Sequence, residues 1–70
     1  MENVNRIAIG KKIRELRGER SQKEVADAIG VTVMAISNYE SGNRIPNDAT
    51  KIAMAKYFGV SVDSLFFTLE

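Results

Sequence analysis

The chain has 70 residues, a net charge of +1, and neither cysteine nor histidine. Those counts exclude disulfides, thiolate nucleophiles and the commonest zinc sites, so the fold must rest on apolar packing, in keeping with a reducing cytoplasm and with no cofactor. A chain of this size buries only about 60% of the surface its unfolded form exposes, so a single domain over residues 1–70 is expected, and it shows neither a secretory signal nor the about 20 apolar residues of a membrane helix.

Basic charge gathers at the beginning. Arg6, Lys11, Lys12, Arg14, Arg17 and Arg20 stand against Glu2, Glu15 and Glu19 in the first twenty residues, while the remainder carries four basic and six acidic residues. Such a run serves as a solvated helix face or as a footprint for a polyanion. Ile9, Ile13 and Leu16, spaced four and three apart, form one face of an amphipathic helix running from about Asn5 to Arg17 and ended by Gly18.

Ser21 and Glu24 have capping-box spacing at the head of a second helix, with Val25, Ala26 and Ile29 as its buried stripe and Gly30 as its stop. Thr32 is the next cap, and Val31 and Ile36 stand at the two positions of a hydrophobic staple; Gly42 closes this third helix. Asn47 caps a fourth helix whose Ile52, Ala53, Ala55, Tyr57 and Phe58 offer an apolar face, ended by Gly59. Ser61 caps a short fifth helix, with Val60 and Leu65 at staple spacing. No stretch alternates with period two and no repeat is visible, so the chain is expected to be all-α.

Only Gly30, Val31 and Thr32 separate helices 2 and 3, so the two cross steeply, as in a helix-turn-helix. The residues here resemble the lambda-repressor/Cro (XRE-like) family of regulators. Counted from Gln22, the family's unit takes apolar residues at its fourth, eighth, tenth, fifteenth and eighteenth places, a small residue at the fifth and glycine at the ninth. The chain supplies Val25, Ile29, Val31, Ile36 and Tyr39, with Ala26 and Gly30. The stretches "NYESGNRIP" and "YFGVSVDSLF" are similar to the family's loop after helix 3 and its link between helices 4 and 5. The resemblance spans residues 9–67, with the unit at 22–41. It implies a five-helix lambda-repressor-like domain that binds double-stranded DNA and regulates transcription, with a repressor as the expectation, in a bacterium or a phage.

At about 100° per residue, Val33, Met34, Ser37, Asn38 and Ser41 share one side of helix 3, and Ala35, Ile36 and Tyr39 the other. The staple assigns Ile36 to the core, so the first side faces outward; in the resembled family that side of the helix, residues 32–41 here, lies in the major groove. Val33 and Met34 depart from the polar residues the family often carries there. Apolar side chains suit the C5 methyl of thymine, or alternatively a protein partner, since methionine adapts to varied surfaces. Asn38 can pair with adenine through two hydrogen bonds. Ser37 and Thr32 can bond phosphates or base edges.

The resemblance makes Gln22 a phosphate anchor at the helix 2 N-terminus, which itself attracts anions, and places Asn43 and Arg44 along the sugar-phosphate backbone. Lys23 and Arg20 flank the same N-terminus as further phosphate candidates. Arg17 and Glu40 look like the family's ion pair between helix 1 and the end of helix 3, with Arg14 as the alternative partner because the connection "GERS" is shorter than the family's usual loop. A homodimer meeting half-sites about 34 Å apart on a near-palindromic operator is expected, with Phe66, Phe67 and Leu69 as interface candidates if they do not simply close the core. No nucleophile stands in a recognisable motif and no phosphate-cradling glycine loop occurs, so the chain does not read as an enzyme. The rival readings are a protein-interaction module, such as an antitoxin-like partner using the same helix 3 surface, and non-specific nucleic-acid binding.

Overall fold

The computed structural model describes residues 5–66, in which the regular elements are all helical: α1 (Arg6–Arg17), α2 (Gln22–Ile29), α3 (Val33–Ser41), α4 (Asp48–Phe58) and α5 (Val62–Phe66). Each begins at a polar residue whose side-chain oxygen accepts a backbone N–H that the helix itself leaves unpaired. Asn5 accepts from Ala8 at 3.0 Å, Ser21 from Glu24 at 3.0 Å, Thr32 from Ala35 at 3.0 Å, Asn47 from Thr50 at 2.9 Å and Ser61 from Ser64 at 3.0 Å. A cap of this kind stabilises by about 1 kcal/mol, which matters for helices too short to persist alone. Gly30 and Gly42 stop α2 and α3 with φ of 81° and 84°, a left-handed conformation that L side chains rarely adopt.

The helices assemble around one core. α3 packs on α1 and α2, α4 on α2 and α5, and α5 returns to α1. Ile13, Val25, Ile36, Met54 and Leu65 are fully enclosed, joined by Ile9, Ala26, Tyr39 and Phe66, with Leu16, Ile29, Val31, Ala35, Ile45, Tyr57, Phe58, Val60 and Val62 around them. Val31 and Ile36 both take their places in this cluster, so the turn between α2 and α3 is held by apolar packing as the staple requires.

Two expectations are corrected. The buried face of α4 centres on Met54, at 0% exposure, with Ala55 beside it, while Ile52 is 54% exposed. Met54 precedes Tyr57 by three residues and Phe58 by four and so shares their face, whereas Ile52, two residues earlier, points about 200° away. Second, Phe66 is 3% exposed, packed in the core, which removes it from the surface offered to a dimer partner. α5 is a single turn that docks on α1 and α4, and Phe66 together with Leu65 is the side-chain bulk by which it does so. Phe67 and Leu69 lie outside the described residues.

Candidate nucleic-acid interface

The orientation of α3 follows from its inner edge. Ile36 is fully enclosed and Tyr39 is 9% exposed, so the side about half a turn away must face solvent. There, Val33 is 42% and Met34 72% exposed, and Ser37 and Ser41 are exposed as well. Asn38 is half-buried at the border of this edge. Its carbonyl accepts from the Ser41 hydroxyl at 3.2 Å and from the backbone N–H groups of Asn43 at 2.9 Å and Arg44 at 3.3 Å. The end of α3 therefore fixes the course of the loop that carries Asn43 and Arg44, and both of those side chains are exposed. Thr32 uses its oxygen as the α3 cap, which leaves its hydroxyl hydrogen to donate elsewhere.

Behind this edge, three helices meet on one carboxylate. Arg17 donates from Nε to Glu40 Oε2 at 2.6 Å, from Nη2 to Oε1 at 3.0 Å, and from Nη1 to the Arg20 carbonyl at 2.8 Å. Gln22, the first residue of α2, donates from Nε2 to Glu40 Oε1 at 3.1 Å. The two ionic side chains are 17% and 6% exposed, so the pair is largely withdrawn from water. The hydrogen bond to Glu40 raises the Arg17 pKa above the ordinary arginine value, burial opposes that shift, and the Coulomb attraction of Glu40 adds to it. Because each Gln22 amide hydrogen serves one acceptor, the bond to Glu40 leaves the second N–H free and sets its direction. The loop shortened at "GERS" thus keeps Arg17, not Arg14, as the partner of Glu40.

The cations differ in their availability. Lys23 reaches Asp27 at 2.9 Å, but both side chains are well exposed, a pairing worth about 0.3–0.5 kcal/mol that a phosphate can displace. Arg20 is half-buried. Its guanidinium lies over the rings of Tyr57 and Phe58, 5.1 and 5.7 Å from their centroids, and so is turned toward α4. Arg14 is exposed and lines a shallow, open cleft with Arg17, Gln22, Ser37, Glu40 and Ser41. Sequence reasoning treated Arg14 only as a substitute for Arg17. The signal was present, because residues three apart on a helix share a face, and pairing Arg17 with Glu40 turns that face toward the outer edge of α3.

The structure therefore gathers Gln22, Ser37, Ser41 and Arg14 around one cleft, puts Val33 and Met34 at the exposed start of α3, and sets Asn43 and Arg44 beyond its end. Among the described residues, no group of three or more acidic or other metal-ligating side chains comes together, and no helix is long and apolar enough to cross a membrane.

The sequence profile described as helix-turn-helix matches residues 11–65. The chain belongs to the helix-turn-helix family. Within it, this helix-turn-helix chain is of the lambda-repressor/Cro kind. It is 43% identical over 56 residues, 77% of its length, to the cryptic phage CTXphi transcriptional repressor RstR of Vibrio cholerae, and spans about half the length of that relative (50%). In three dimensions it is similar to the P22 c2 repressor protein, solved in complex with a synthetic operator, with a TM-score of 0.79 and 30% identity over 81% of this chain and 89% of the other. It also superposes on the restriction-modification controller protein C.AhdI from Aeromonas hydrophila, with a TM-score of 0.78 over 86% of this chain and 94% of the other. At 24% identity, that second likeness speaks to the fold alone.

Proposed function

We propose that the chain is a sequence-specific transcriptional repressor that lays α3 in the major groove of duplex DNA and acts in the cytoplasm as a homodimer on a near-palindromic operator. The observation that carries this reading is the two-sided burial of α3: Ile36 and Tyr39 anchor it inward, and Val33 and Met34 stand clear of the core at its start. An apolar pair at that place is suited to thymine methyl groups, and Asn38, at the edge of the same surface, carries the donor and acceptor that adenine presents a match for. Gln22, Lys23 and Thr32 on the α2 side, with Asn43 and Arg44 on the other, supply polar and cationic groups to the flanking phosphates, which set register without reading sequence. The likeness to a repressor solved on its operator supports the same use of the surface. Binding alone is the activity assigned, with no catalysed reaction.

Selection from random duplexes tests this directly. An enriched half-site rich in thymine opposite Val33 and Met34, repeated about one helical turn away in inverted order, is the expected result. Recovery of no enriched sequence overturns it. The 72% exposure of Met34 favours one alternative, a protein partner gripping the same edge. Salt separates the two, because each neutralised phosphate steepens the fall of log affinity with log salt by about 0.9, whereas a protein contact made through apolar side chains gives a shallow slope.

A further inference from the structure

α1 and α3 approach closely at Gly10. A Cβ placed there would sit 2.4 Å from the carbonyl oxygen of Glu40, 2.6 Å from that of Tyr39 and 2.8 Å from the Glu40 carbonyl carbon. All three are backbone atoms, so no rotamer change relieves the overlap. Restoring an ordinary contact of about 3.5 Å would part the helices by about 1 Å at this point.

Glu40 is thereby held twice by α1. Its main chain rests on Gly10, and its carboxylate is bonded by Arg17, seven residues further along the same helix. Two contacts separated by about 10 Å along a rigid helix define an angle, which one contact cannot. The opposite end of α3 is fixed independently by the Thr32 cap and by Ile36 in the core. A displacement at Gly10 is therefore expressed as a tilt of α3 about its own beginning, felt at Asn38, Ser41 and the Asn43–Arg44 loop and little at Val33.

We propose that Gly10 is a positioning residue for base reading: the bare backbone of α1 at this residue sets the tilt of α3 and so the reach of Asn38. This rests on the reading of α3 as the DNA-contacting helix. Hydrogen-bonded base contacts tolerate displacements of only about 0.5 Å, so an added methyl group at residue 10 acts on specificity through geometry without touching DNA.

The test is Gly10→Ala, compared with the wild type on the selected operator, on operators altered one base pair at a time, and on an unrelated duplex, with the folded fraction fixed by a denaturant titration. The expected outcome is about a tenfold loss of discrimination at the base pair facing Asn38, with discrimination at the Val33 position within about twofold of wild type and any loss of affinity for the unrelated duplex shared equally by every operator. Unchanged discrimination in the folded fraction, or an equal loss at every position, overturns the proposal and leaves Gly10 a packing residue. If Gly10→Ala does not fold, Ile7→Ala decides. Ile7 is 61% exposed and its Cδ1 lies 2.9 Å from where a Cβ on Gly42 would be, so its truncation loosens the same end of α3 and spares the core. A loss of about threefold confined to the Asn38 position supports the proposal, and no such loss refutes it. A wild type that discriminates among no sequences would instead reject the DNA-reading role itself.

Discussion

Arg17 and Glu40 face each other as fork to carboxylate, with Nε–Oε2 at 2.6 Å and Nη2–Oε1 at 3.0 Å. The pair joins the last turn of α1 to the last turn of α3 and draws in Gln22 from the first turn of α2. A bidentate arrangement fixes orientation as well as distance, which a lysine in the same place would not do. The pair is also close to charge-neutral as a unit, so in the proposed mode of binding its part would be to hold Gln22 and α3 in place, with the attraction for phosphate supplied by the exposed cations around it.

Replacing Glu40 by Gln or Arg17 by Met leaves one charged partner in a half-buried place and should lower stability by about 1.5–3 kcal/mol, read as the change in urea midpoint at constant m-value. The double variant should cost less than the two single losses added together, since both remove the same interaction. Additive losses in that cycle would mean that the observed geometry contributes nothing to folding.

The raised pKa of Arg17 carries a pH consequence of definite sign. A group whose pKa is higher in the folded chain gives stability that is fully present below its unfolded value and is lost only as pH climbs through the folded one. For arginine both values lie far above neutrality. The stability difference between wild type and Arg17→Met should therefore show no decline on the Arg17 side between about pH 7 and pH 10. Paired urea titrations across that range check it, and a decline toward pH 10 would contradict the assigned hydrogen bond.

The proposed contact of Val33 and Met34 with thymine is measurable without altering the protein. Substituting deoxyuridine for thymine removes only the C5 methyl, and each methyl in contact should account for about 0.8 kcal/mol, near fourfold in affinity. Val33→Ala and Met34→Ala should abolish the response at their own base pairs and leave the other positions unaffected. An operator indifferent to every deoxyuridine replacement rules out methyl contacts.

Asn38 and Arg44 should fail in different ways. Asn38→Ala is expected to cost about 1–3 kcal/mol at one base pair. Arg44→Gln should weaken all sequences by a similar factor and lower the salt slope by about one unit, the signature of a phosphate contact. Fluorescence anisotropy on specific and unrelated duplexes at several salt concentrations separates the two patterns.

The face of α4 gives a stability test that involves no ligand. Met54→Ala should cost about 2–5 kcal/mol, as expected for truncation of a fully enclosed side chain. Ile52→Ala, at 54% exposure, should stay within about 0.5 kcal/mol of wild type. Thermal melts of the two variants suffice, and equal losses would restore the face first read from the sequence.

Much of this arrangement was legible in the residues. The caps at Ser21, Thr32, Asn47 and Ser61 and the stops at Gly30 and Gly42 are local chemistry, decided within one turn, and they lie where the capping pattern put them. The outward side of α3 was legible for a related reason, since one staple residue, Ile36, settles the rotation of the whole helix. The apolar face of α4 was less so. Seven of its eleven residues are apolar, Ala49, Ile52, Ala53, Met54, Ala55, Tyr57 and Phe58, and they surround the axis, so hydrophobicity alone leaves the rotation open and packing against α2 and α5 decides it. Phe66 was misjudged because the volume of a core closed by a one-turn helix cannot be read from composition. Gly10 carries no side chain to read, and its significance exists only once the carbonyls of Tyr39 and Glu40 arrive from a helix thirty residues away.

The connection between α1 and α2 leaves no slack. Its Arg20 gives its carbonyl to Arg17 and spreads its guanidinium over Tyr57 and Phe58, so four residues bind α1, α2 and α4 to one another. Most surface loops tolerate added length at small entropic expense. Here an insertion would slip a knot: the four residues that join α1 to α2 also carry the side chain that ties this corner to α4.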